Sequence, residues 1–78
     1  GSSLYELTQR YEKLVQQYEE LVKDYRRLVK KLEKLKRDNK PDKRLLKEIV
    51  DVIKKSVEII DRSLKLLEES IKILEETD

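Results

Sequence analysis

The sequence predicts an all-α protein: an antiparallel helix-turn-helix hairpin with coiled-coil-like heptads that self-associates into a homo-oligomeric helical bundle or barrel. Three observations predict it. Apolar residues recur with a seven-residue period in both halves of the chain. A single break, Asp38-Asn39-Lys40-Pro41-Asp42, separates those halves. The apolar band of the second half is also too wide to be satisfied by one partner helix.

The first element is helix 1, expected over 3–38. Ser3 followed three residues later by Glu6 reads as a capping box, in which each side chain satisfies an amide that the helix end leaves open. The repeat then runs YEKLVQQ, YEELVKD, YRRLVKK and LEKLKRD. With heptad columns lettered a to g, Leu4, Tyr11, Tyr18, Tyr25 and Leu32 occupy a. Leu7, Leu14, Leu21, Leu28 and Leu35 occupy d, and Val15, Val22 and Val29 occupy e. Column g is polar: Arg10, Gln17, Asp24 and Lys31. Tyr5 lies off this seam, with at most a surface contact expected of it.

The turn is expected at 39–41. Asn tolerates the left-handed backbone that ends helices, and Pro41 suits the first turn of the next one. So short a connection makes the two helices antiparallel neighbours.

Helix 2 is expected over 42–78, in the heptads IVDVIKK, SVEIIDR, SLKLLEE and SIKILEE. Column a holds Leu46, Ile53, Ile60, Leu67 and Leu74, and column d holds Ile49 and then Ser56, Ser63 and Ser70. Columns e (Val50, Val57, Leu64, Ile71) and g (Leu45, Val52, Ile59, Leu66, Ile73) are apolar as well. Around a helix these columns are neighbours in the order g, d, a, e, so they form one unbroken band. Columns b, c and f are charged.

Register follows from arithmetic, because residues at equal height in an antiparallel hairpin have numbers of constant sum. Leu14 with Leu67, Leu21 with Ile60 and Leu28 with Ile53 share one sum, as do Tyr11 with Ser70, Tyr18 with Ser63 and Tyr25 with Ser56. On this reading column d of helix 1 faces column a of helix 2, and the tyrosines face the serines. Each Tyr–Ser pair is expected to be a hydrogen-bonded polar layer, since a buried phenol needs a partner and Ser supplies a donor and an acceptor. Gln9, Gln16 and Gln17 would extend that network. The alternative is steric: Ser only makes room, and the phenol tip reaches water.

Composition excludes most chemistry. The chain has no Cys and no His, so it lacks thiolates and the commonest general base and metal ligand. No catalytic, cofactor-binding or metal residue is expected, and no cofactor. Although 46% of residues are charged, the net charge is only +2, too small to point to nucleic acid. No run approaches membrane-spanning length, and the chain is expected to be soluble and cytoplasmic when expressed. Lysines and arginines crowd the turn from Lys30 to Lys47, while Glu68, Glu69, Glu75, Glu76 and Asp78 make the open end acidic. A solvated tip explains the basic cluster better than phosphate or lipid binding, since no aromatic or Gly-rich element accompanies it. Glu20–Lys23 and Asp51–Lys55 read as ordinary pairs along the helix surface. The opening Gly1-Ser2-Ser3 without Met resembles a cleaved-tag scar, assigned to residues 1–2.

With the near-identical heptads, the capping box, the short Pro turn and the polar layers taken together, the chain resembles de novo designed helical hairpins. These self-associate into two-ring bundles or barrels through buried hydrogen-bond networks. The resemblance covers residues 3–78 and implies no natural biochemical activity, with the chain's partner being itself. The expected arrangement is the barrel, and the alternative is a four-helix homodimer or one half of a designed heterodimer. In a barrel, helix 2 lies inside and helix 1 outside, and Val50, Val52, Val57, Ile59, Leu64, Leu66, Ile71 and Ile73 make lateral contacts. Asp51, Glu58, Lys65 and Lys72 of column f then line a water-filled pore, which needs a ring of about six copies to be wide enough to hydrate them. In a four-helix homodimer, or as half of a designed heterodimer, column f faces solvent and no pore exists.

Overall fold

The computed structural model describes residues 2–76, with side chains from Ser3 onward. It is all-helical: α1 spans Ser2–Asp38, α2 spans Lys43–Glu75, and the two pack as an antiparallel hairpin of about 61 × 15 × 14 Å. Gly1, the first of the two residues assigned to a tag scar, lies outside the described residues, as do Thr77 and Asp78 at the expected end of helix 2.

The helix ends show which local signals hold. Asn39 adopts φ 52°, and its amide donates to the Leu35 carbonyl at 2.7 Å, closing α1 with a left-handed residue as its side chain favours. Pro41 stands outside α2 and not in its first turn. Asp42 is the N-cap, with extended backbone, and its carboxylate accepts from the Arg44 amide at 2.9 Å. Ser3 does not cap α1, because the helix already includes Ser2.

The core is a single row of interlocking side chains. Leu21 and Leu28 of column d in α1 meet Leu45, Val52 and Ile59 of column g in α2, and Leu14, Leu35 and Ile49 pack against them. Leu66 is buried too. This corrects the expected facing. The height register holds, but α2 is turned by one heptad column, about 50°, so that g and d, and not a and d, look at α1. Column a of α2 points outward: Leu46 is 65% exposed and Ile60 52%, while Ile59, one residue earlier, is 1% exposed.

The charges explain the rotation. Column g of α1 meets column c of α2 along one edge of the seam. Arg10 pairs with Glu69, Asp24 with Lys55 at 2.9 Å, and Lys31 with Glu48 at 2.7 Å. Turning α2 to bring column a inward would carry column c away from these partners and expose column g in its place. Lys55 thus reaches across to Asp24 and Glu20 instead of pairing with Asp51. Asp24 also holds Arg27 at 3.4 Å, and its side chain is 17% exposed. Asp24→Asn is expected to cost about 0.5–1 kcal/mol, a fall of a few degrees in Tm at low salt that shrinks in high salt. Thermal melts at two ionic strengths check it.

Candidate assembly surface

The opposite edge of the seam carries the three tyrosines. Tyr11 and Ser70 lie 2.6 Å apart, Tyr18 and Ser63 2.5 Å, and Tyr25 and Ser56 2.6 Å, measured between hydroxyl oxygens. Each serine hydroxyl also donates to the carbonyl four residues before it: Ser56 to Val52 at 2.8 Å, Ser63 to Ile59 at 2.8 Å and Ser70 to Leu66 at 2.7 Å. A serine has one hydroxyl proton, and a carbonyl can only accept it. The direction of every layer is therefore fixed: tyrosine donates to serine, and serine donates to the backbone. The serine orients the phenol as well as making room for it, so the hydrogen-bonded reading holds over the purely steric one. The glutamines do not extend the layers as expected. Gln9 donates instead to Tyr5 at 3.0 Å on the surface.

Ser63→Ala takes the acceptor from the middle phenol and leaves the Ile59 carbonyl in its helical bond. The expected loss is about 1 kcal/mol, read as a lower unfolding midpoint. Tyr18→Phe should cost no more than that, since Ser63 keeps its bond to the backbone.

Because ion pairs occupy one edge of the seam and Tyr–Ser layers the other, everything beyond the tyrosines and serines lies on one side of the hairpin. Beyond them lie columns a and e of both helices. Seventeen large hydrophobic side chains are exposed among the described residues, and all but Tyr5 belong to those columns. They form one apolar face across α1 and α2. Open troughs run along its α1 half, one of about 410 Å³ between Val22, Tyr25 and Val29 and one of about 440 Å³ between Val15, Tyr18 and Val22.

The expected lateral contacts divide by column. Val50, Val57, Leu64 and Ile71 stand on this open face. Val52, Ile59 and Leu66 are buried inside the hairpin, and Ile73 is half-buried, so column g is spent on holding α2 to α1. Column a, assigned by its pattern to the seam, takes its place on the open face. Asp51, Glu58, Lys65 and Lys72 are exposed and point away from the middle of the apolar band. Glu58 lies 3.9 Å from Arg62. Asp61 accepts a hydrogen bond from Lys65 at 2.9 Å, which raises the lysine above its usual pKa. No group of acidic side chains among the described residues is placed to hold a metal ion, and no described helix is long and apolar enough to cross a membrane. Comparison with protein-family models, curated proteins and solved structures gives no match.

Proposed function

We propose that the chain is a self-assembly module without catalytic activity, in which two hairpins close face to face into a four-helix homodimer. The observation that carries this reading is the one-sided apolar face. The side of the hairpin that carries it has an outline of 61 Å by 15 Å, roughly 900 Å², enough to accommodate the about 800 Å² per partner of stable protein–protein interfaces. A single face with this many exposed Leu, Ile, Val and Tyr side chains is unusual on a monomer. A second copy brings the same columns of Leu, Ile and Val, and its side chains can enter the troughs along α1 as knobs enter holes.

One-sidedness also supports the dimer over the barrel. An inner helix of a ring needs an apolar flank on each side of its contact with the outer helix. Here one flank of α2 is apolar columns a and e, while the other is column c, charged and paired with α1. Near-identical heptads and three repeated Tyr–Ser layers support a designed origin for such a module.

Lys65→Glu together with Lys72→Glu tests the arrangement. In a homodimer column f faces water, so mass and melting temperature should barely change. In a barrel the change would line the lumen with acidic rings at every level and weaken the assembly, most at low salt. A large salt-dependent loss in the double variant would overturn the dimer in favour of the pore.

A further inference from the structure

Two face-to-face dimers are possible, and the charges bordering the apolar face distinguish them. In one, a dyad along the long axis places both turns at the same end and sets α1 of each copy beside α2 of the other. In the second, a dyad across the long axis places the turns at opposite ends, with α2 beside α2 and α1 beside α1. Every neighbouring helix pair is antiparallel in both, so apolar packing alone does not choose.

Column b borders the face on each helix, next to column e. In the same-end dimer equal heights are kept, so Glu12 of one copy meets Glu68 of the other, Glu19 meets Asp61, and Arg26 meets Lys54. Only Glu33 with Lys47 is an opposite pair. In the opposite-end dimer column b of α2 meets itself reversed. It reads Lys47, Lys54, Asp61, Glu68, Glu75, basic then acidic. Lys47 then meets Glu75 and Lys54 meets Glu68, each twice by symmetry, with Asp61 at the dyad. The same dyad brings Ile60 against Ile60, Ile53 against Leu67 and Val57 against Leu64, so charged and apolar columns share one register. The α1 border (Tyr5, Glu12, Glu19, Arg26, Glu33) decides less: its one basic residue, Arg26, comes opposite the Glu12–Glu19 stretch of the other copy. At the scale of the whole molecule, the basic turn of each hairpin lies beside the acidic open end of the other, an arrangement favoured electrostatically.

We infer that the apolar face takes a second copy of this chain in the opposite-end orientation, α2 against α2, selected by the reversed charge order along column b. The inference rests on the homodimer proposed above. It is tested with Lys40→Cys, which puts a single thiol in the exposed turn of a chain with no other cysteine. Nitroxide labelling and a pulsed dipolar distance measurement are made on the same sample whose mass is determined by light scattering. A mass of two chains with a label separation of about 60 Å, from 1.5 Å per residue on either side of the dyad, is the expected result. Two chains with labels closer than about 30 Å, as neighbouring turns on helices 8–10 Å apart would give, would overturn the orientation and leave the homodimer standing. A mass of one chain would overturn both.

Discussion

Ile60→Lys is expected to split the assembly into single hairpins. Ile60 is half-exposed on an isolated hairpin, where a lysine can stand in water without disturbing the seam beneath it. In the assembled state it is covered, and burial of an isoleucine side chain contributes about 1.5–3 kcal/mol. Each assembly contains the residue twice, so the loss is at least about 3 kcal/mol, or more than about 100-fold in dissociation constant. The two lysines would also be brought together near the dyad, with no acid beside them in column a or e. Mass should fall to one chain at concentrations where the parent is assembled, while far-UV circular dichroism still reports helix. An unchanged mass would show that column a is not the buried interface.

The adjacent residue should behave differently. Ile59→Ala opens a cavity in the row that joins α1 to α2, at the most buried side chain among the described residues. Large-to-small changes of this kind cost about 2–5 kcal/mol, a large share of what a domain of this size has to lose. The hairpin itself is weakened, so the melting temperature should fall steeply at every protein concentration. Ile60→Ala, by contrast, should matter mainly where assembly does. If the two alanine variants melted alike, the one-column rotation of α2 would be wrong.

Much of this fold was legible in the sequence because heptad periodicity, helix ends and height register are local or arithmetical properties. Asn39 announced its left-handed turn, and the constant sum that pairs Tyr11 with Ser70 set all three polar layers. Rotation about the axis of α2 was not legible from apolar residues alone. A band four columns wide presents hydrophobic side chains to its partner over a broad range of rotations, so either g or a can face α1. The deciding signal was polar. Arg10 with Glu69, Asp24 with Lys55 and Lys31 with Glu48 also have a constant sum, two less than that of the Tyr–Ser pairs. That second sum places column c of α2 beside column g of α1 and leaves column a outside. Pro41 and Ser3 misled for a simpler reason: each suits a helix start, and a neighbouring residue, Asp42 or Ser2, is where the helix boundary falls.

Occupancy by a second copy of the face that α1 and α2 share is directly measurable. Sedimentation equilibrium of the unmodified chain, from low micromolar to millimolar concentration, should give twice the 9.4 kDa of one chain, with dissociation only toward the dilute end and a melting temperature that rises with concentration. A mass of 9.4 kDa throughout, with a melting temperature independent of concentration, would contradict it.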